Sequence, residues 1–265
     1  SLGYVLVLDD DIVAKRADSK IVVGEDKQSQ SITQQPSGGP AVLSANLISG
    51  WLSGLGYATT IESAATSNAT TWPNYSFIVS TSGANTGPVA NATYRAALES
   101  YVAAGHKLLV EGGEVGYDAI STPGYPTFAA NVLHGTSWAA DNAGTLLRLA
   151  PQASHPLATI PNVLPASIPI TYTAFGSNDS YAPVSPAYAV YGVTTQAGNV
   201  GISVYDNDPA PQSAQIVVFA FDLKAVTDST VARHLLENAA RFLLAPQPVP
   251  NSSITGRVAV GTGWS

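Results

Sequence analysis

The sequence predicts an α/β protein with a flavodoxin-like, doubly wound, mostly parallel sheet, helices on both faces, and β-rich insertions in its second half. As far as residue 118, apolar runs of strand length alternate with amphipathic helical patterns, and the connections are short. Parallel neighbours need a crossover connection, and a helix is the usual one. Because 265 residues can bury one sizeable core, one large domain is favoured over two small ones.

The first strand is predicted at residues 4–8, an unbroken apolar run typical of a buried parallel strand. It leads into Asp9, Asp10 and Asp11, at the end of the strand where open α/β sheets bind ligands. Hard cations prefer carboxylate oxygens, so these three aspartates are the candidate metal ligands. Backbone N–H groups of neighbouring loops would satisfy the same side chains, and we therefore expect no metal.

Two amphipathic helices follow in the first half. The first is predicted to begin near Pro40 and to end at Gly56. Its apolar face repeats every four residues, at Leu43, Leu47, Trp51 and Leu55. The second begins at Asn91 and ends at Gly105. Short strands at residues 59–63 and 75–80 separate the two helices.

A strand at residues 106–110 runs directly into Gly112-Gly113-Glu114-Val115-Gly116, which has the glycine spacing of a nucleophile elbow. Such a turn holds its middle residue in a strained conformation, often with positive φ, and so requires small neighbours. The middle residue is Glu114, where Ser or Cys would indicate nucleophilic catalysis. We expect sparsely populated backbone angles at Glu114 and a side chain that points into a cleft shared with residues 9–11.

Other acidic residues surround Glu114 in the sequence. Glu111, Asp118 and the aspartates at 9–11 would form an acidic cleft with it if all lie at one edge of the sheet. Crowded carboxylates raise one another's pKa, which is how general acids and bases are made. A glycosidase-like carboxylate pair is therefore compatible with the sequence, although a residual cleft without activity is the simpler interpretation.

The second half of the chain contains more prolines and short apolar runs. These predict strands at residues 145–149, 168–173, 188–193, 200–205 and 215–221. Asp228 then caps a final helix that ends near Leu244. We place the domain boundary after residue 245, and residues 246–265 are predicted to be a Pro-rich linker followed by the start of another module.

The chain resembles class I glutamine amidotransferase-like domains. The resemblance rests on the order of four motifs between residues 4 and 244: the strand with three aspartates, the Gly-x-Glu-x-Gly turn, His155-Pro156, and the closing helix. It is similar to trehalose-utilisation-type members and to related modules of secreted bacterial proteins. Residues 254–258 resemble the first strand of carboxypeptidase-regulatory-like β modules, which implies a second domain.

The resemblance also implies what has been lost. Catalytic members carry Cys in the middle of the elbow, followed late in the chain by a His with an acidic partner. Here the matching position is Glu114, and no His-x-Glu follows the late strands. His155 matches a His-Pro-Ile-like element near the cleft and is the second catalytic candidate, although a lone loop histidine is more often structural. Without a nucleophile and a base, the covalent route has no starting point.

Composition excludes several classes of function. The chain has no cysteine, which rules out thiolate nucleophiles and Cys-ligated metals. A net charge of −7 with 11 basic residues argues against nucleic acid as a partner. No apolar run reaches the roughly 20 residues that span a bilayer. Only 11% of residues are charged, and the uncharged polar surface that this predicts is common in secreted proteins.

From these observations we expect a non-catalytic binding or scaffolding module of a secreted, extracellular, multidomain protein, with no cofactor. Its partners would be neighbouring domains of the same chain and a small-molecule or carbohydrate ligand. Two alternatives remain open: a hydrolase that uses Glu114 and nearby acids on a carbohydrate or peptide, and an accessory domain of a secreted peptidase.

Overall fold

The computed structural model describes residues 2–10, 44–206 and 214–245. Within these residues the chain forms eleven β-strands and five α-helices. The strands are β1 Tyr4–Asp9, β2 Ala58–Ser63, β3 Phe77–Gly83, β4 Leu108–Gly112, β5 Gly135–Trp138, β6 Leu146–Arg148, β7 Ser167–Ile168, β8 Tyr181–Pro183, β9 Tyr188–Val193, β10 Ile202–Tyr205 and β11 Ile216–Phe219. The helices are α1 Ser44–Gly54, α2 Ala92–Ala103, α3 Pro126–Phe128, α4 Pro156–Thr159 and α5 Ser229–Leu244.

Nine of these strands form one sheet in the order β2-β1-β3-β4-β11-β10-β9-β6-β7. From β2 to β11 all neighbours are parallel, and the remaining four strands extend the sheet in antiparallel pairs. β5 and β8 form a separate two-stranded sheet. The flavodoxin-like α/β fold is therefore confirmed, with its β-rich additions after the elbow.

The sheet separates two hydrophobic cores, as expected for strands whose side chains alternate between faces. In β1, Val5 and Val7 belong to the core beneath α1 and α5, whereas Leu6 and Leu8 belong to the core beneath α2. Phe128, from α3, packs into that second core. Helices on both faces of the sheet are thus a consequence of strands that are apolar on both sides.

The structure confirms α1 but shifts its buried face. Its buried apolar residues are Ala45, Ile48 and Leu52, while Trp51 and Leu55 pack against the core only in part. The buried face of α1 is therefore displaced by one residue from the predicted face. Leu, Trp and Ile residues lie on two adjacent faces of this helix, so its sequence is compatible with burial of either face. Gly56 ends the helix with a φ of 96°, as predicted. The predicted start at Pro40 and Leu43 lies outside the described residues.

The predicted starts of two helices, α2 and α5, are confirmed. The side chain of Asn91 accepts hydrogen bonds from the backbone N–H groups of Thr93 and Tyr94, at 3.0 and 3.1 Å, and begins α2. Asp228 caps α5 in the same way, through the N–H of Thr230 at 2.8 Å. Both side chains satisfy N–H groups that a helix start leaves without a partner.

Parts of the second half differ from the prediction. The strand expected at residues 168–173 is reduced to Ser167–Ile168, and β5 and β8 were not predicted. Two π-helical turns, Tyr117–Ser121 and Ala129–Leu133, also lack a sequence signal. Among the described helices, none has the length and apolar character needed to cross a bilayer.

Candidate functional site

The predicted elbow is a real strand-to-helix turn, but its strained residue is a glycine. β4 ends at Gly112, which has a φ of 159°, and helical backbone begins at Val115. In the described part of the chain, the non-glycine residues with positive φ are His134, Ser137 and Asn142. Glu114 is not among them, so the strained backbone expected at this position is not present as a positive φ, and Gly112 takes the sharp change in chain direction.

The glycines of this turn are explained by close packing. A Cβ atom added to Gly113 would lie 2.0 Å from the carbonyl oxygen of Gly176. A Cβ on Gly116 would lie 2.6 Å from a carboxylate oxygen of Asp179. Only glycine fits where two backbones approach so closely. The segment 174–179 therefore lies directly on the turn and covers it.

Glu114 lies beneath this cover. Its side chain is 3% exposed, and Oε1 is buried without a hydrogen-bond donor. Three other carboxyl groups act on it, those of Asp141, Asp179 and Asp118, and Asp141 is close enough to form a hydrogen bond with it. A nucleophile in the usual elbow reaches an open cleft, whereas this carboxyl group is enclosed among other acids.

Burial and the surrounding negative charges change the acidity of Glu114. Desolvation is the largest cause, followed by the charges of Asp141 and Asp179, the hydrogen bond with Asp141, and the charge of Asp118. Together they raise the pKa of Glu114 to about 8, from an ordinary value of 4.5. Every contribution acts in the same direction, so the protonated form is favoured at neutral pH.

The neighbouring acids, Asp179 and Asp118, accept hydrogen bonds from the protein. Asp179 is fully buried and accepts hydrogen bonds from the N–H groups of Tyr117 and Ser180 and from the indole of Trp138. These donors only partly offset burial, which raises the pKa of Asp179 to about 7. Asp118 accepts a hydrogen bond from the N–H of Val89 at 2.8 Å. Both residues thus hold loops in place around the turn.

Glu111, at the end of β4, is a structural residue. Its side chain is 0% exposed and accepts hydrogen bonds from Thr81 Oγ1 at 2.6 Å, from the N–H of Gly83 at 3.2 Å and from the N–H of Leu223 at 2.5 Å. It therefore connects the ends of β3, β4 and β11. Burial and the charge of Asp222 raise its pKa to about 8, and the three donors oppose that rise.

The predicted cleft between the aspartates and Glu114 is not what the structure shows. Asp9 and Asp10 act electrostatically on Tyr94, and neither is among the groups that act on Glu114. Asn85 Nδ2 donates to the backbone oxygen of Asp10 at 2.7 Å. Asp11 lies outside the described residues. Within the described residues no group of three His, Asp or Glu side chains is arranged to hold a metal ion.

His155 is a helix cap rather than a base at the elbow. Its Nδ1 accepts a hydrogen bond from the N–H of Leu157 at 3.1 Å, and its Nε2 forms a hydrogen bond with Tyr188 Oη at 3.0 Å. The ring packs edge-on against Phe242 of α5. Burial lowers the pKa of His155 to about 4, so the ring stays neutral. None of these contacts involves Glu114.

The end of β11 also carries no histidine. The residues there are Ala220, Phe221 and Asp222, and the Asp222 carboxylate accepts a hydrogen bond from Ser44 Oγ at 3.1 Å. His106 and His134 stack on Tyr101 and Tyr205, away from the turn. No histidine in the described part of the chain acts on Glu114.

Two surface pockets lie away from Glu114. A mostly apolar pocket of about 380 Å³ is lined by small residues of the two π-helical turns together with Ile120, Tyr125 and Val184. A neighbouring pocket of about 280 Å³ shares Tyr125 and adds Arg95. The Arg95 guanidinium lies 3.5 Å from the centre of the Tyr125 ring. Glu114 lines neither of these two pockets.

Sequence reasoning missed two important residues of this site. Asp141 and Asp179 stand in polar loop segments, Ala-Asp-Asn-Ala-Gly and Asn-Asp-Ser, which resemble ordinary turns. Only the folding of both loops onto the elbow brings them to Glu114.

Comparisons with known proteins support the fold alone. No known protein family matches the sequence, and no curated protein matches it. A Thermoplasma acidophilum protein, provisionally described as a component of GMP synthase, is 9% identical over 91% of this chain and 94% of its own, with a TM-score of 0.52. A protein from Salmonella typhimurium is 16% identical over 90% of this chain and 98% of its own, with a TM-score of 0.49.

The expectation of a secreted, extracellular protein is corrected, since it finds no support in the comparisons. The Salmonella protein is described as cytoplasmic, which is a statement about that protein. The prediction depended on a low charged fraction, and low charge does not identify a compartment. The trehalose-utilisation type finds no support in the comparisons. The sheet order, the elbow and the Thermoplasma structure are together consistent with a glutamine amidotransferase-like fold.

Proposed function

We propose that this domain is a non-catalytic binding or scaffolding module built on a glutamine amidotransferase-like fold. One observation carries the proposal: the residue in the nucleophile position, Glu114, is 3% exposed and lies beneath segment 174–179. A nucleophile needs both a base and access to its substrate. Glu114 lacks that access, and among the described residues only other carboxyl groups act on it.

The fold provides other surfaces on which binding can occur. The apolar pocket at Ile120, Tyr125 and Val184 has a volume within the range of about 300 to 1,000 Å³ that small-molecule sites occupy. We therefore place ligand binding, or contact with a neighbouring domain, away from the elbow. The elbow itself then serves as a rigid junction between β4 and the loops that cover it.

Ammonia release is the direct test of the absence of catalysis. The purified domain is incubated with glutamine and with a panel of primary amides, beside a Glu114→Gln variant. We expect no release above the buffer blank from either protein. Release by the unchanged domain that disappears in Glu114→Gln would overturn the proposal.

A second candidate function, acid–base hydrolysis, is favoured by one observation. Glu114 and Asp141 are neighbouring carboxyl groups, and the pKa of each is raised, mainly by burial. Such pairs divide the roles of acid and base in glycosidases. Aryl glycosides and fluorogenic peptides test this candidate. Turnover that is lost in both Glu114→Gln and Asp141→Asn, but kept in Glu99→Gln on α2, would establish hydrolysis in place of the non-catalytic role.

A further inference from the structure

Beside Glu114 lies a second carboxyl group that also lacks a hydrogen-bond donor. Glu114 Oε1 and Asp141 Oδ1 are both buried without a donor among the described residues. The two side chains are nevertheless in hydrogen-bonding contact with each other. Ionised carboxylates can only accept hydrogen bonds, so a bond between two of them requires one proton.

Among the described residues, no positive charge acts on Glu114 in place of that proton. The charged groups that act on Glu114 are Asp141, Asp179 and Asp118, which come from three different segments of the chain. Tyr172 also faces the pair, since the charges of Asp141 and Glu114 act on it. Arg95 acts on Asp118 but is not among the groups that act on Glu114. Two ionised carboxylates here would repel each other without compensation.

The loop that carries Asp141 is held at both ends. On one side, the N–H of Ala139 donates to Ser180 O at 2.8 Å. On the other, Thr195 Oγ1 donates to Ala143 O at 2.8 Å. Between these anchors, Asn142 has a φ of 45°. Between the anchors, the side chain of Asp141 contacts Glu114 at the elbow.

We propose that Glu114 and Asp141 share one proton, and that this proton closes residues 140–142 over the elbow. When the proton passes to solvent in alkaline solution, two adjacent carboxylates remain and their repulsion releases the loop. The device would make the position of residues 140–142 dependent on pH. It stands independently of the proposed function, because it concerns the loop and not a bound ligand.

Carboxyl carbon NMR provides the first test. The domain is labelled with ¹³C, and the shifts of Glu114 Cδ and Asp141 Cγ are followed from pH 4 to pH 10. A shared proton predicts one step well above the ordinary range and one within or below it, and Asp141→Asn should change the step of Glu114. Two independent steps near pH 4 would overturn the proposal.

Hydrogen exchange tests the movement of the loop. After correction for the intrinsic rate, we expect the opening of residues 140–142 to become more frequent by up to about tenfold per pH unit from the ordinary glutamate range up to about pH 8, and to level off above that. Glu114→Gln and Asp141→Asn each supply an amide donor that survives at high pH, so both should remove the pH dependence. Glu99→Gln, on α2, should behave like the unchanged protein.

The alanine variants separate a specific latch from general loosening. Glu114→Ala and Asp141→Ala should open residues 140–142 at every pH while leaving the amides of β1 and β3 protected. If all variants and the unchanged protein show the same pH profile, the shared proton does not control the loop.

Discussion

Glu111 and Glu114 are the same amino acid, three positions apart and both buried, yet the protein treats them differently. Glu111 accepts three hydrogen bonds that connect β3, β4 and the chain after β11. Glu114 has an oxygen without any donor and lies among acids. In Glu111 the three donors oppose the rise in pKa caused by burial, whereas in Glu114 every neighbour increases it.

The difference shows how to interpret an acid at the end of a buried strand. A raised pKa is common to both residues, so acidity alone does not distinguish a structural carboxyl from one with another role. The number of donors does distinguish them. Glu111 is fixed by donors from the end of β3 and from the chain after β11, and Glu114 is fixed mainly by the loops that enclose it.

The largest effect should come from removing Glu111. Glu111→Ala leaves the buried hydroxyl of Thr81 and the N–H groups of Gly83 and Leu223 without an acceptor. Each such group costs about 1 to 3 kcal/mol, so we expect a loss of about 3 to 5 kcal/mol in the free energy of unfolding, measured by urea denaturation. Glu114→Ala is the matched control and should cost clearly less. Equal losses would remove the distinction between the two glutamates.

The sequence predicted the first half of the molecule well, for physical reasons that can be named. Strands with apolar residues on both faces, such as β1, and helices with an Asn or Asp cap follow from local chemistry that few tertiary contacts override. The elbow was recognised from glycine spacing alone. Its cause, the approach of Gly176 to Gly113, involves residues 63 positions apart and leaves no local pattern.

The second largest loss of stability should come from disturbing the contact between Gly113 and segment 174–179, which covers Glu114. Gly113→Ala places a Cβ against the backbone of Gly176, and because neither strand end nor segment 174–179 can yield easily, we expect a loss of about 2 to 3 kcal/mol in stability. Gly50→Ala in α1 is the control, since a Cβ there meets nothing within 4 Å. That change should stabilise the protein by up to about 1 kcal/mol.

Differential scanning calorimetry on both variants measures this contrast. A harmless Gly113→Ala would mean that segment 174–179 does not press on the turn, and Glu114 would then be accessible. That result would weaken the distinction between a covered and an open elbow, on which the proposed lack of catalysis depends.

The two aspartates that sequence reasoning missed are also placed by contacts between distant parts of the chain. Asp141 and Asp179 reach Glu114 only after two long excursions of the chain have folded over the elbow. Conversely, Asp9 and Asp10, which stand out in the sequence, are not among the groups that act on Glu114. Consecutive charges are conspicuous in a sequence, but the direction of each side chain is decided by the register of its strand and by loops that no local pattern describes.

A pH dependence of stability should follow from the raised pKa of Glu114. Between the ordinary value of 4.5 and about 8 only the folded state retains the proton, so stability is greatest at low pH and falls as pH rises through this window. Between pH 7 and pH 8 the loss is at most about 1.4 kcal/mol for this group. Glu114→Gln should make the decline of the melting temperature shallower, although Glu111 and Asp179 still contribute. An unchanged slope would contradict the assignment.

The smallest change removes a single donor from Glu111. Thr81→Val keeps the shape of the side chain but deletes the hydroxyl that donates to Glu111 at 2.6 Å. Because the N–H groups of Gly83 and Leu223 remain, we expect a loss of about 1 kcal/mol, together with a higher pKa of Glu111, since fewer donors stabilise its ionised form.

Ser80→Ala is the control, because Ser80 Oγ bonds with Tyr94 Oη and does not contact Glu111. Urea denaturation at pH 6 and pH 9 measures both effects: the cost of Thr81→Val should be larger at pH 9, where Glu111 is ionised, and that of Ser80→Ala should not depend on pH. If Thr81→Val lowers the free energy of unfolding equally at both pH values, the hydrogen-bond donors do not stabilise the ionised form of Glu111. The proposed difference between Glu111 and Glu114 is then wrong.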